Sequence, residues 1–415
     1  MDVKLHPDLA SSLIAREGAE AIEACVHCGF CLATCPTYLD SRDERDSPRG
    51  RIYLIKELLE TAQSDRTAQY HLDRCLTCRS CETTCPSGVR YGDIIDSGRT
   101  LLEEKVSRRP VDYLRRKILR LVVPYRHRIG AVLRLGQLLS PVLPMSLRSA
   151  LPDTQRPAAA ALQQTSPRSS SKHAARVILL EGCVQGSATP ATNAAAKRVL
   201  DLLQIAVINP HQGCCGALDM HLGARNDGLN HMRRNIDRWW PAIDQGIDAI
   251  ISTATGCGSQ LADYGQALAH DSEYAERAAI VASLAEDFAS YLLRQPLDSV
   301  PLNAQNSQRR IAVQIPCSQT HALQQADTVR RILQARGFTL TATFDDHLCC
   351  GSAGSYSLLQ PAMSSRLRAR KLQALLGGKP ELIVSANVGC QLHLNQTSPV
   401  PVRHWTELLL DSLVS

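Results

Sequence analysis

The sequence predicts a mixed fold: an α-helical, cysteine-rich N-terminal module followed by two copies of one α/β domain. Three observations carry this. A run of the form C-x2-C-x2-C-x3-C-P occurs twice, at residues 25–36 and 75–86. The eight remaining cysteines all lie beyond residue 173 and fall into two sets with matching surroundings. In that same stretch, short apolar runs alternate with helical ones, the pattern of a mainly parallel sheet.

The bounds come from composition. With 415 residues, 44% apolar and 21% charged, the chain has ordinary globular composition and room for two or three domains. No run of about 18 apolar residues appears, so no transmembrane helix is expected. The start, "MDVKLHPDLASSLIAREGAEA", lacks the basic and apolar blocks of a signal peptide. The expected location is therefore cytoplasmic. Sixteen cysteines in a large chain of that compartment point to metal or redox use rather than a disulfide framework. The formal net charge of +6 alone selects no partner.

In the N-terminal module, three thiolates at two-residue gaps can wrap one face of an iron–sulfur cubane. The fourth, one residue further on, points elsewhere and in two-cluster ferredoxins serves the other cluster. Pro36 and Pro86 then turn the chain away. The expected ligand sets are Cys25, Cys28, Cys31 and Cys85 for one [4Fe–4S] cluster, and Cys75, Cys78, Cys81 and Cys35 for the other. Zinc sites use two cysteine pairs across a longer loop and fit less well. Between the motifs, "PRGRIYLIKELLE" has Ile52, Ile55, Leu58 and Leu59 at helical spacing, so the module is expected to be helical rather than a minimal β-rich one. His27 sits between two ligands and is expected to play a polar role beside the cluster.

From Tyr113 to Pro152 there are eight Arg or Lys and no acidic residue. Pro124 and Pro141 should break this stretch into short helices. It reads as a connector, with a contact to anionic lipid through Arg115, Arg116, Lys117 and Arg120 as the sharper alternative. Residues 153–173, rich in Pro, Ser, Ala and Gln, read as a flexible linker.

The duplication is built around "CCG". Cys183, Cys214, Cys215 and Cys257 correspond to Cys317, Cys349, Cys350 and Cys390. "HQGCCGAL" parallels "DHLCCGSAG", and "DAIISTATGCGSQL" parallels "ELIVSANVGCQLHL". Val177–Leu180, Ile311–Ile315, Ala249–Ser252 and Leu382–Ser385 read as buried strands, with helices over 190–204 and 322–336. Cysteines just after strand ends converge where α/β sheets place ligands, so four thiols should meet in each repeat. Gly216 and Gly351 allow the tight fold that lets adjacent thiols face one point.

These motifs together resemble the iron–sulfur subunits that serve flavin dehydrogenases and heterodisulfide reductases. "CVHCGFCLATCPTY", "HLDRCLTCRSCETTCPSGV", "CCGSAGSYSLLQPAMS" and "VRHWTELL" resemble, within that group, the iron–sulfur subunits of bacterial glycolate oxidase. The resemblance implies an α-helical two-cluster ferredoxin module followed by two duplicated α/β CCG domains. It implies electron transfer rather than substrate binding: FAD-containing partner subunits oxidise glycolate to glyoxylate, and this chain passes electrons to an acceptor, a membrane quinone. Contact would then be with the cytoplasmic face of the inner membrane. Each repeat departs from the C-x-x-C ending common in CCG domains and keeps a single terminal cysteine. That disfavours the non-cubane cluster of heterodisulfide reductases but leaves four ligands per repeat for further clusters.

The expected domains are 1–110, the two-cluster module; 111–173, connector and linker; 174–300 and 301–415, the two CCG domains. No G-x-G-x-x-G or P-loop follows a strand, so no dinucleotide site is expected on this chain. An alcohol must lose a hydride, which a cluster does not take, so a flavin belongs on a partner. The alternatives are an iron–sulfur subunit of a glycerol-3-phosphate or lactate dehydrogenase, and a thiol/disulfide reductase. Nucleic-acid binding is not expected, since the basic stretch lacks aromatic interleaving.

Overall fold

In the computed structural model the described residues are 1–142, 175–210, 212–303 and 309–413. The linker expected at 153–173 and the end of the basic stretch lie outside them. The chain forms two compact units. One comprises Met1–Arg120, Ala217–Gly228 and His347–Lys371; the other comprises Leu121–Gly216, Leu229–Asp346 and Leu372–Ser415.

The first unit is helical, as the spacing of its apolar residues predicts. Ser12 caps the helix Leu13–Glu23 through the Ala15 amide, and Asp65 caps Arg66–Asp73 through Ala68. The helix Pro48–Thr61 starts with Ser47 bonded to the Gly50 amide at 2.9 Å and with proline in its first turn. Helices this short are marginal alone, so packing must hold them. Ile22, Ile55, Leu58 and Leu59 are buried in a shared core, each contributing about 1.5–3 kcal/mol. Gly98, on the helix Tyr91–Lys105, makes close packing possible: a Cβ there would stand 2.6 Å from Ile55.

The second unit holds two four-stranded parallel sheets of the same plan. In the first, β1 (Ala175–Leu180), β2 (Ile205–Ile208), β3 (Ala249–Ser252) and β4 (Ala285–Asp287) run in the order β2-β1-β3-β4. In the other, β5 (Arg310–Gln314), β6 (Thr339–Leu340), β7 (Leu382–Ser385) and β8 (Val402–His404) run β6-β5-β7-β8. Registers match as well: Val177 pairs with Ala249, and Ile311 with Leu382. One hydrophobic core serves both repeats, joining Val177, Ile251 and Phe288 to Val313, Val384 and Trp405. The loops after β3 and β7 touch, with the Thr255 amide bonded to the Ala386 carbonyl at 3.2 Å. His404 reaches the Thr253 carbonyl at 2.9 Å.

Two expected helices differ at their ends. Pro190–Leu202 closes slightly early, and 322–336 is helical only over Thr328–Ala335. Ahead of the latter, Ser318–Ala322 forms a π-helical turn directly after Cys317, a feature common at functional sites. The basic stretch forms the helices Pro110–Val122 and Arg126–Leu138, separated at Pro124. Among the described residues, no helix is long and apolar enough to cross a membrane.

Candidate iron–sulfur sites

The two N-terminal motifs take the same backbone path. His27 and Gly29 in the first, and Thr77 and Arg79 in the second, all have left-handed φ, between 51° and 85°. These are the second and fourth residues after the leading cysteine in each case. For the non-glycine residues such a conformation costs of order 1 kcal/mol or more, a strain that persists where function requires it. The bends turn successive thiols toward one hollow instead of letting them alternate around a helix.

Two adjoining hollows result. One is bordered by Cys35, Cys75, Cys78 and Cys81. The other is bordered by Cys25, Cys28, Cys31, Cys81 and Cys85. Three cysteines of one motif and the last cysteine of the other thus border each hollow, and Cys81 borders both. No disulfide joins any of the sixteen cysteines. Burial pushes the Cys31 thiol up to about 11 and the Cys81 thiol well above its ordinary value. Crowded, dry thiols of this kind ionise only beside a strong positive centre, which bound iron supplies.

Among the described residues, no carboxylate borders either hollow, whereas Arg51 and Arg79 border the first and Arg49 the second. Sulfur donors with cationic neighbours suit a cluster of net negative charge. Arg51 is buried and donates to the His71 carbonyl at 2.8 Å and to Thr37 Oγ1 at 3.1 Å. Thr37 Oγ1 lies 3.3 Å from Cys35 Sγ. Asp46, also buried, meets His71 at 2.9 Å, Arg74 at 2.8 Å and Arg51 at 3.6 Å. Burial opposes its charge, but the His71 hydrogen bond and the two guanidinium groups hold its carboxyl below the usual range. Motif reading missed this group; an arginine inside an otherwise apolar helical face was its one sequence signal. His27 borders the second hollow, and its Nε2 is withdrawn from solvent with no hydrogen-bond partner among the described residues.

In the first CCG repeat all four cysteines meet. Cys183 Sγ lies 3.7 Å from Cys214 Sγ, and Cys215 bonds to both Cys214 and Cys257. The bond to Cys214 and burial push the Cys183 thiol well up. Asn235 and Tyr264 hold the pair from behind, bonding the Cys214 and Cys215 carbonyls at 2.9 and 3.0 Å. Gly216 has φ +95° and its amide donates to Cys214 Sγ; Gly351 has φ +89° and its amide donates to Cys349 Sγ. In the second repeat, Cys317 and Cys390 belong to the second unit, while Cys349 and Cys350 belong to the first. Asn387 donates to Cys390 Sγ at 3.5 Å.

The basic stretch corrects one expectation. Arg116 is buried and bound to Asp73 at 2.8 Å, and Arg120 is bound to Asp219 and Asp227. Arg116 is buried away from lipid, and Arg120 is engaged by two carboxylates of its own chain. Arg115 and Lys117 remain exposed, next to Val111, Leu114 and Ile118 on the same helix.

A helical module with two cross-motif cysteine quartets and a duplicated cysteine-rich α/β domain defines the class: a dicluster iron–sulfur protein. Residues 21–89 match the family model for a 4Fe-4S dicluster domain, and residues 177–262 and 311–395 match that for the cysteine-rich CCG domain. The chain is 46% identical to the glycolate oxidase iron-sulfur subunit of Escherichia coli K12, over 100% of this chain and 99% of that protein. It is 32% identical to the probable glycolate oxidase iron-sulfur subunit of Bacillus subtilis 168, over 94% and 93%. The chain belongs to the glycolate oxidase iron–sulfur subunit family. Similarity to lactate utilization protein A of Shouchella clausii is 22% and spans 48% of this chain.

Proposed function

We propose that this chain is the electron-transfer subunit of a flavin-dependent glycolate dehydrogenase, receiving electrons from FAD-containing partners and passing them to a membrane quinone. The observation that carries the reading is the pair of adjoining hollows, each bordered by three cysteines of one motif and the last of the other, with Cys81 bordering both. Cys25, Cys28, Cys31 and Cys85 would hold one [4Fe–4S] cluster, and Cys35, Cys75, Cys78 and Cys81 the other. Bound clusters supply one-electron acceptance and release. The chain's own residues hold the thiolates together, exclude water from the Cys35 side and place cationic groups beside the sulfurs. Cys183, Cys214, Cys215 and Cys257 would hold a further cluster. For the membrane contact we assign the exposed face of Val111, Leu114 and Ile118 with Arg115 and Lys117, whose charges complement anionic lipid.

The glycolate reading is favoured over lactate because the likeness to glycolate oxidase subunits runs the whole chain, whereas that to lactate proteins covers about half of it. The test is to isolate the native complex, identify the flavoprotein that accompanies this chain, and measure iron together with hydroxy-acid-dependent dye reduction. Glycolate-dependent reduction with at least about eight iron atoms per chain, the content of two cubanes, is expected. A complex that reduces dye only with lactate or glycerol 3-phosphate, or a chain without iron, overturns the reading.

A further inference from the structure

We infer that Arg51 sets the two N-terminal clusters apart in potential, raising that of the Cys35, Cys75, Cys78 and Cys81 site above that of the Cys25, Cys28, Cys31 and Cys85 site. The inference rests on the two-cluster reading above and adds an order to it. Single electrons supplied by a reduced flavin on the partner and removed by a quinone would reach the Cys35 site second, with no bond made or broken on the way.

The argument is one of charge. Reduction adds a negative charge to a cluster, so its potential depends on nearby charge and on exposure. Burial alone orders the sites the other way. At the Cys35 site Cys35, Cys75 and Cys81 are buried and Cys78 is half-buried, whereas at the other site Cys25 is buried, Cys31 and Cys85 are half-buried and Cys28 is exposed. The drier site would therefore be the harder one to reduce. Fixed cations reverse this. Arg51 is 1% exposed and always protonated in practice. Its one carboxylate neighbour, Asp46, is shared with Arg74 and accepts a hydrogen bond from His71. Arg51, Arg74 and Asp46 together leave one net positive charge, held where water screens it weakly. Of the other cations near the hollows, Arg79 pairs with Glu82 at 2.9 Å and Arg49 with Glu44 at 2.8 Å, while buried Arg99, bonded to the Cys75 carbonyl at 2.6 Å, adds positive charge on the Cys35 side and so acts in the same direction as Arg51. Arg49 is also about a third exposed, so solvent screens what remains.

The test is a redox titration of the full-length protein followed by electron paramagnetic resonance, with iron measured on each sample. Wild type should give two signals with separate midpoints. Arg51→Met should lower the higher midpoint and leave the lower one in place, whereas Arg51→Lys should keep most of the separation. Asp46→Asn, which removes the opposing charge, should raise the same midpoint further; it decides the matter should Arg51→Met fail to fold. Two intact signals whose midpoints stay put in Asp46→Asn, or move together in Arg51→Met, overturn the inference. Fewer than two signals, with iron below eight per chain, overturns the two-cluster reading beneath it.

Discussion

Replacing Gly351 by alanine tests whether the CCG turn is as tightly built as its geometry indicates. Gly351 follows the cysteine pair with φ +89°, and its amide donates to Cys349 Sγ. A Cβ there would lie 2.7 Å from the Ser364 carbonyl oxygen and 2.9 Å from Leu367 Cβ, both on the helix Pro361–Leu376. Backbone cannot give way as a flexible side chain can. The left-handed conformation costs alanine about 1–2 kcal/mol, and forcing a methyl into a filled space adds about 1–3 kcal/mol. Gly354→Ala is the control: its φ is +60°, but nothing lies within 4 Å of the added carbon. Only the backbone cost applies there. The two variants should thus differ by about 1–3 kcal/mol, or roughly 2–12 °C in melting temperature for units of this size. Thermal unfolding followed by circular dichroism, with iron measured on the same samples, reads both effects. Equal melting of the two variants would refute the packing argument, leaving backbone strain alone.

Three further outcomes are expected. Cys35→Ser should perturb the paramagnetic signal of the Cys75, Cys78 and Cys81 site, and Cys85→Ser that of the Cys25, Cys28 and Cys31 site; each variant altering its own motif's site would reverse the crossed assignment. Asp287 and His404 end equivalent strands, and burial pushes the first up to about 7 and the second down to about 4. Asp287 therefore loses stabilisation as pH rises from about 4 to 7, while His404 loses it as pH falls from about 6.5 to 4, so the slopes oppose. Asp287→Asn should leave stability rising with pH by up to ~1.4 kcal/mol per unit over that window, and a pH profile parallel to wild type would contradict this. Finally, Arg115→Gln with Lys117→Gln should weaken flotation with anionic liposomes at low salt, whereas Arg116→Gln should instead lower the melting temperature by removing one of the two guanidinium groups on Asp73, Arg108 remaining at 2.7 Å; unchanged flotation in the double variant would remove the lipid contact.

Much of this was legible because short-range chemistry dictates it. The C-x2-C-x2-C-x3-C-P spacing leads to the expectation that the last thiol of each run faces the neighbouring site, and Cys35 and Cys85 border the hollows of the other motif. Ala249–Ser252 and Leu382–Ser385 read correctly as strands because four consecutive buried apolar or small residues leave few other options. The edge strands Ile205–Ile208 and Thr339–Leu340 escaped notice because they are short and only partly buried, so no strong pattern marks them. Charge was the least legible property. Arg51, Arg116 and Arg120 look like any solvated arginine in the sequence. Only folding brings Asp46, Asp73 and Asp219 from elsewhere in the chain against them, and these pairings decide which cations serve a cluster, which hold the fold and which remain free to meet a partner. The sequence by itself determined the cysteine pattern and the duplication, since both depend on residue type and spacing. The tertiary structure decided the electrostatics, since a charge acts through distance and burial, which spacing along the chain does not contain.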